Sequence, residues 1–436
     1  MITLINEEQL AVCGGAPVRR TPWPNWPQAD ENTESILKEV LNSGRWAISG
    51  PYLDRESFER KFAREFAEFN GAKYCTPVMN GTSSLVSGLL ALGVGFSDEV
   101  LVPGLTWVAC ASTVLSVGAI PVIVDIDPET LCMSLDAAKK AITPKTKAIM
   151  IVHAFGALAD LDGFLELSKQ TGIPIIEDCS QAHGAKWLDQ RVGTFGKVGC
   201  FSMQQSKLLT SGEGGAIITN DADLYRKIEQ VRSDGRLFTE HPKSGELELV
   251  EEGQIQGYNM CLSEFQAAVL SDRLSHLDSE NEIRHMNARI LTELLHDIEG
   301  VSTLKFYPQV TTFVYYNFVI RLDLNKFGGK GIDAIAKAMS AELATLVRPI
   351  YRPMNKHTLY TPLLCSRVPN TSEVRQLLDP NRFNLPHAEE ARKVCLTIPH
   401  WVLLDGEEGM KDIAKALKKL KNSSESIPET GSLAAS

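Results

Sequence analysis

The sequence predicts an α/β protein with a mainly parallel sheet, followed by a smaller α+β layer. Between about residues 70 and 220, short apolar runs rich in Val and Ile alternate with segments of helical spacing. The apolar runs are continuous, as is typical of strands that are covered on both faces of a parallel sheet. After about residue 280 the alternation gives way to longer helices and separated strands, which favours a distinct second layer.

The elements of the first part follow in order along the chain. The predicted helices are GTSSLVSGLLALGV (81–94), WVACASTVLSVG (107–118), SLDAAKKAI (134–142) and LDGFLELSKQTG (161–172). The predicted strands are EVLVPG (99–104), IPVIVDID (120–127), KAIMIVHAFG (147–156), IPIIEDC (173–179), KVGCFSM (197–203) and GGAIITN (214–220). No helical pattern separates the last two strands, so at least one of them is expected to run antiparallel.

The second part adds five elements. They are predicted helices at 282–300, 332–343 and 407–420 and predicted strands at 311–323 and 345–351. A chain of 436 residues exceeds what one hydrophobic core usually organises. The predicted division is an N-terminal arm (1–30), a large domain (31–280), a small α+β C-terminal domain (281–422) and a disordered tail (423–436).

Composition excludes several classes of function. The net charge is −10, and KALKKLKN (415–422) is the one short basic block, which argues against nucleic acid or a membrane as partner. The nine cysteines show no CxxC spacing, so neither a disulfide framework nor a metal site is predicted. No stretch of eighteen apolar residues and no basic, apolar leader occurs. A cytoplasmic protein is the expectation.

Two charged residues follow predicted strands where packing does not require them. Asp178 ends the strand IPIIE, and Lys207 follows VGCFSM and precedes the glycines of TSGEGG. In an open α/β sheet, ligands bind beyond the carboxyl ends of strands. A lysine that can form a Schiff base, with a carboxylate nearby, suits a carbonyl cofactor whose pyridine nitrogen must stay protonated. A structural ion pair or helix cap for Asp178, and a solvated surface charge for Lys207, are the alternatives.

A phosphate cradle and an aromatic wall complete this hypothesis. The segment NGTSS (80–84) opens a predicted helix, where backbone N–H groups, hydroxyls and the helix dipole favour an anion. Trp107 follows another strand, where an indole could stack on a cofactor ring. Ordinary N-capping and ordinary core packing are the alternatives for these two features.

At this point the chain resembles a known family. GTSSL, PGLTWVA, PVIVDID, HAFG, IIEDCSQAHGA, GCFSMQQSKLLTSGEGGAIITND and GYNMCLSEFQAA stand in the order found in the DegT/DnrJ/StrS aminotransferases, over roughly residues 45–400. The resemblance implies the type I fold of pyridoxal phosphate enzymes, with a mainly parallel, seven-stranded sheet in the large domain. It also implies a homodimer whose two subunits share each active site.

The resemblance assigns roles to individual residues. It implies that Lys207 carries pyridoxal 5′-phosphate as a Schiff base and acts as general acid and base, and that Asp178 pairs with the pyridinium nitrogen. Members that dehydrate sugars have histidine in place of the lysine, so Lys207 favours transamination. The other cofactor contacts that it implies are Gly81, Thr82, Trp107, Ser180, Gln181, Ser202 and, toward the neighbouring subunit, Asn259.

The substrate is predicted by a finer resemblance. SMQQSKLLTSGEGG and the early GGAPVR and PWPNWP resemble the members that aminate keto-cyclitols such as scyllo-inosose or a C7 cyclitol ketone with L-glutamine, in aminocyclitol antibiotic biosynthesis. A nucleotide-linked keto-sugar aminated by L-glutamate, or an aminobenzoate-type synthesis, is the alternative. The candidate substrate contacts are Arg45, Trp46, His153, Arg348, Tyr351 and His357.

Two other classes of protein are disfavoured by these residues. A non-catalytic regulator that keeps the fold has no need of Lys207 and Asp178 together. A dinucleotide-binding enzyme would place GxGxxG between its first strand and helix, whereas GEGG here precedes a strand.

Overall fold

The computed structural model describes residues 8–239, 241–369 and 371–428. Its helices are α1 (Glu31–Ser43), α2 (Phe58–Asn70), α3 (Gly81–Ala91), α4 (Ala109–Ser116), α5 (Leu135–Ala141), α6 (Leu161–Thr171), α7 (Ala222–Arg232), α8 (Glu264–Leu274), α9 (Leu277–His296), α10 (Ile332–Leu343), α11 (Ser372–Leu378), α12 (Pro386–Val394) and α13 (Glu407–Asn422). No helix in this part of the chain has the length and apolar character to cross a membrane.

The strands range from two to seven residues. They are β1 (Tyr74–Val78), β2 (Glu99–Pro103), β3 (Ile120–Val124), β4 (Thr146–Val152), β5 (Ile175–Asp178), β6 (Lys186–Trp187), β7 (Gln190–Arg191), β8 (Val198–Ser202), β9 (Gly215–Thr219), β10 (Arg236–Phe238), β11 (Leu249–Glu251), β12 (Val301–Thr303), β13 (Val310–Thr312), β14 (Asn317–Leu322), β15 (Arg348–Pro349) and β16 (Cys395–Pro399).

Seven strands form the central sheet, in the order β1-β9-β8-β5-β4-β2-β3. The pairings between β3, β2, β4, β5 and β8 are parallel, and β9 is antiparallel to both of its neighbours. All five residues of β2, β3 and β9 are buried, as expected for strands covered on both faces. The prediction of a mainly parallel α/β sheet with an antiparallel strand near residues 197–220 is therefore confirmed.

Local signals in the sequence place the helices that flank this sheet. The side chain of Asn80 accepts a hydrogen bond from Ser83 N and so caps α3. Ser134 and Asp160 cap α5 and α6 in the same way. Each cap follows a buried strand, so the chain turns at the same edge of the sheet after β1, β3 and β4. That edge holds the residues that carry the chemistry.

A second core surrounds the antiparallel sheet β12-β14-β16-β15. Helices α9, α10 and α13 contribute buried Leu, Ile and Ala side chains to it. The single strand predicted at 311–323 is wrong. Residues 310–312 pair with β6, whereas 317–322 join the second sheet. The strand predicted at 345–351 is reduced to β15, because only two of its residues pair with β16.

The first and last described segments pack on this second core. Leu10 and Ile427 are 1% and 2% exposed within it, and residues 424–426 form a short 3-10 helix. Ordered chain thus continues beyond residue 423, where the disordered tail was predicted to begin. The remainder of that predicted tail, 429–436, and the first seven residues of the predicted arm lie outside the described residues.

A buried ion cluster joins α2, α7 and β1. The guanidinium of Arg232 donates to Glu59 Oε1 at 2.6 Å and to Glu229 Oε2 at 2.8 Å. Arg60 pairs with Glu229 at 3.1 Å, and Thr76 of β1 donates to the other oxygen of that carboxylate at 2.8 Å. Burial raises the pKa of Glu229 to about 7. Such a cluster is stabilising only while every charge in it has its partner.

We therefore expect Arg232→Met to lower the free energy of unfolding by about 3–5 kcal/mol, because it leaves Arg60 as the one cation in the described cluster against the two buried carboxylates of Glu59 and Glu229. The matched control is Arg226→Met on the same helix. Arg226 pairs with Glu252 at 3.1 Å on the surface, so its loss should cost less than about 1 kcal/mol. Urea denaturation followed by circular dichroism measures both, and equal losses would contradict the prediction.

Candidate active site

A cavity of about 1080 Å³ opens at the carboxyl edge of the central sheet and is lined by residues of both cores. It brings together most of the residues that the sequence singled out. The predicted residues that line it are Gly81, Thr82, Trp107, Asp178, Ser180, Gln181, Ser202, Lys207, Arg348, Tyr351 and His357. Residues from Gly81 to Lys207 meet in one pocket because β1, β2, β5 and β8 all end at the same edge. Arg348, Tyr351 and His357 reach it from β15 and the segment that follows β15.

Asp178 is the last residue of β5 and is 6% exposed. Its Oδ1 accepts a hydrogen bond from the backbone N–H of Ser180 at 3.0 Å. Its Oδ2 accepts one from the thiol of Cys110 at 3.3 Å. Burial raises the pKa of Cys110 well above its ordinary value, so the thiol keeps its proton and acts as a donor. The two donors fix a carboxylate in the wall of the cavity.

Lys207 lies on the loop between β8 and β9, and its side chain is partly buried. Its Nζ is 4.2 Å from the centroid of the Tyr316 ring, which belongs to the second core's side of the cavity. Burial tends to raise the pKa of Tyr316, but the charge of Lys207 and the hydrogen bond with Ser206 outweigh burial and lower it. Among the residues that the structure describes, Lys207 forms no ion pair, so the aromatic face holds Nζ and leaves it available for chemistry.

The start of α3 and the end of β8 form an anion cradle. A Cβ placed on Gly81 would lie 2.4 Å from Ser202 Cβ, so only glycine permits this approach. Gly81, Thr82 and Ser202 line the cavity here, and the first N–H groups of a helix have no partner within the helix. Backbone donors at a helix N-terminus favour a phosphate. This set of donors fits the phosphate of the predicted cofactor.

Flat side chains enclose the space between the cradle and Lys207. The Trp107 ring is 48% exposed and lies 6.3 Å from the Tyr351 ring. Gln181 accepts a hydrogen bond from Phe155 N at 2.8 Å and donates to the Tyr351 hydroxyl at 3.5 Å. The Phe155 ring stacks on Tyr351 at 5.4 Å. The cavity therefore has the shape and polarity to hold a planar ring beside a carboxylate.

Four predicted residues lie outside the cavity of their own chain. His153 is fully buried, and its ring bonds to Glu177 Oε2 and Ala159 N at 3.2 Å each, so its predicted contact with substrate is corrected. Arg45 is buried in an ion pair with Glu248. Trp46 is 52% exposed beside Phe265, and Asn259 is exposed on the surface.

Sequence reasoning missed several residues of the site. Cys110 follows Trp107 by three positions, a helical spacing that could have indicated a shared face. Tyr316 gave no such signal, because it reaches the lysine from another core. The neighbouring group His153, Glu177 and Cys179 has the composition of a metal site. Its Glu177 carboxylate already accepts three backbone N–H bonds, from Gly193, Phe195 and Gly196.

The α/β fold, with Lys207 and Asp178 lining one cavity, is of the aminotransferase class, and the comparisons agree. The model of the DegT/DnrJ/EryC1/StrS aminotransferase family matches residues 27–418. The chain belongs to this family, so the predicted family and enzyme class are confirmed.

Its similarity to individual members is extensive. It is 48% identical over 417 residues to L-glutamine:2-deoxy-scyllo-inosose aminotransferase of Streptomyces kanamyceticus, covering 95% of this chain and 97% of that protein. It is 43% identical over 415 residues to L-glutamine:scyllo-inosose aminotransferase of Streptomyces griseus, covering 95% and 98%. A crystal structure of 3-amino-5-hydroxybenzoic acid synthase superposes with a TM-score of 0.79 at 29% identity, covering 93% of this chain and 100% of that one.

The close approach of Gly81 to Ser202 can be tested by substitution. Gly81→Ala should raise the dissociation constant for pyridoxal phosphate at least about tenfold, or about 1.4 kcal/mol, because the new methyl group displaces Ser202 from the cradle. Gly95→Ala is the control, since a Cβ there meets open space. Fluorescence titration of the apoprotein measures both constants. An unchanged constant for Gly81→Ala would exclude this cradle.

Proposed function

We propose that the protein transfers the amino group of L-glutamine to a keto-cyclitol, scyllo-inosose or its 2-deoxy form, with pyridoxal phosphate held in the cavity. The observation that carries the proposal is that Lys207 and Asp178 line one cavity with the cradle at Gly81 and Ser202. The relatives whose printed names specify this donor and these acceptors cover nearly the whole chain.

The residues that would hold the cofactor follow from the cavity. The start of α3, with Thr82 and Ser202, would bind the phosphate, and Trp107 and Gln181 would contact the ring. Asp178 would pair with the ring nitrogen and Lys207 would bond to the carbonyl carbon. When bound, pyridoxal phosphate supplies an electron sink for the carbanion that forms when a proton leaves the amino donor.

The protein residues then have defined tasks. Asp178, fixed by Cys110 and Ser180, keeps a negative charge where a ring nitrogen must stay protonated. The Lys207 amine, once free, takes the proton from the Cα of L-glutamine. In the second half-reaction it delivers a proton to the carbon that carried the acceptor's carbonyl oxygen. A positioned general acid and base of this kind contributes about 10²- to 10⁴-fold to the rate.

The arginines at the mouth support an amino donor that carries a carboxylate. Arg392 pairs with Asp333 at 2.9 Å, whereas Arg348 and Arg352 form no ion pair within the described residues. L-glutamine carries an α-carboxylate and a keto-cyclitol carries no charge. We therefore assign Arg348 and Arg352 to the donor carboxylate, which a guanidinium binds with two parallel hydrogen bonds. The neutral hydroxyls of the acceptor need no such partner.

The exposed apolar residues near Asn259 support the predicted homodimer. Trp46, Leu247 and Tyr258 are each more than two-fifths exposed, at 52%, 52% and 43%. The segment that carries Asn259 is tied to the residue before the cradle by a hydrogen bond from Met79 N to Met260 O at 2.9 Å. A second copy of this chain covering that face would place residues beside the cavity edge, and the exposed Asn259 or Trp46 would then act across the interface.

The function is tested with purified protein, pyridoxal phosphate, L-glutamine and 2-deoxy-scyllo-inosose. We expect a visible-violet absorbance that shifts on addition of L-glutamine, and an aminated cyclitol detected by mass spectrometry. Lys207→Ala should lose the absorbance shift and at least about 10²-fold of the rate, because the general acid and base is gone. Asp178→Asn should retain the fold and lose rate.

Lys227→Ala, an exposed lysine on α7, serves as the control and should behave as wild type. Amination of a nucleotide-linked keto-sugar by L-glutamate, with no reaction of either inosose, would overturn the assigned substrates. A protein that gains no absorbance with pyridoxal phosphate would overturn the cofactor.

The dimer is tested by a charge on the apolar face. Trp46→Glu should shift the mass measured by light scattering from two chains toward one, because a carboxylate would be buried without a partner. Phe96→Glu is the matched control, since Phe96 is 68% exposed on the segment between α3 and β2. A wild-type protein of one-chain mass would exclude the homodimer.

A further inference from the structure

The N-terminal arm is anchored on the second core before it approaches the lysine loop. The Trp23 indole N–H donates to Leu343 O at 2.6 Å. Arg19 pairs with Asp405 at 3.0 Å and with Asp412 at 3.2 Å. Residues 10–23 therefore lie on the small α+β layer, and the three residues that follow carry the chain to the other core.

Trp26 is the residue of the arm that contacts the lysine loop. Its indole N–H donates to the carbonyl of Gln205 at 3.0 Å. Its ring meets the His400 ring edge to face, with centroids 4.6 Å apart. The guanidinium of Arg284, which is buried, lies 5.2 Å above the same indole. Three contacts thus fix the indole against the outer side of the loop.

His400 holds the next carbonyl of the loop. It is fully buried, and its Nε2 lies 3.2 Å from Ser206 O. Burial, with the charge of Arg284, lowers the pKa of His400 well below its ordinary value, so the ring is neutral. A carbonyl oxygen only accepts hydrogen bonds, so Nε2 carries the proton and donates it. This contact adds no positive charge near Lys207.

The two donors act on consecutive residues directly before Lys207. Inside the loop, Lys207 N donates to Gln204 O at 2.8 Å, and the Ser206 hydroxyl joins Gln204 Oε1 at 2.7 Å and the Tyr316 hydroxyl at 3.1 Å. With Gln205 O and Ser206 O held from outside, the backbone that leads to Lys207 has little freedom. Misplacement of a reacting group by 1 Å can cost about a hundredfold in rate.

We infer that Trp26 is a positioning residue for Lys207: with His400, it holds the loop so that Nζ reaches the reacting carbon atoms. This inference rests on the proposed function. The alternative is that Trp26 only fastens the arm to the protein. Trp23 distinguishes the two, because it belongs to the same arm and its indole N–H donates an equivalent bond to a carbonyl away from the lysine loop, that of Leu343.

The experiment compares Trp26→Phe with Trp23→Phe in the full-length holoenzyme. Both lose one indole N–H bond, so both should lower the thermal midpoint alike. Trp26→Phe should lower kcat about tenfold with the KM for L-glutamine within twofold, slow the rise of visible absorbance when apoprotein meets pyridoxal phosphate, and shift the pH midpoint of that absorbance. Trp23→Phe should leave kcat, the KM and the rate of that rise within twofold of wild type, and the pH midpoint unchanged.

Equal effects of the two substitutions, or none from Trp26→Phe, would overturn the positioning role. If Trp26→Phe does not fold, His400→Gln, which keeps a donor for Ser206 O, is compared with His400→Met, which lacks one. The inference is supported if His400→Gln keeps the pH midpoint of wild type and His400→Met shifts it. Identical pH midpoints in the two variants overturn it. A wild-type protein without the absorbance rejects the proposed function and this inference together, whereas a normal wild type with a normal Trp26→Phe rejects the inference alone.

Discussion

The active site depends on one buried carboxylate, that of Glu177. It accepts backbone N–H bonds from Gly193, Phe195 and Gly196 at 2.6–2.8 Å and contacts the ring of His153. These bonds fasten β5 to the turn that leads into β8 and to the segment after β4. Hydrogen bonds to a charged acceptor are roughly twice as strong as neutral ones. Glu177, which directly precedes Asp178, thus fixes β5 to β4 and β8, the strands on either side of it.

The register that follows from this arrangement sets the rest of the site. In the parallel pairing of β5 with β8, Asp178 lies opposite Cys200. Two residues later Ser202 ends β8 against Gly81, where no side chain fits between them. A slip of one residue in either strand would turn Asp178 or Ser202 away from the cavity. The acid, the cradle and the lysine loop are therefore products of one strand register rather than independent features.

The sequence predicts those features of the fold and site that are signalled by residues close together in the chain. Continuous Val and Ile runs revealed the parallel strands, and Asp178 and Lys207 were visible because each directly follows such a run. The role of the Tyr316 hydroxyl could not be predicted, since its partner Ser206 lies 110 positions away. Arg45 was misjudged for the same reason, because the sequence around it gives no sign of Glu248. The segment 311–323 looks like one strand, but it divides between two sheets.

The site exists only when the two cores are packed together. Lys207 and Asp178 belong to the first core, whereas Tyr316 and Arg348 enter the cavity from the β14 and β15 side of the second. A ligand that touches both groups stabilises the packed arrangement by mass action, since it binds the separated cores less well. Trp26 adds a second link between the same two partners, because its chain is anchored on the second core and its indole donates a hydrogen bond to the lysine loop. The position of the small α+β layer and the position of Lys207 are consequently coupled twice, once through the cavity and once through the arm.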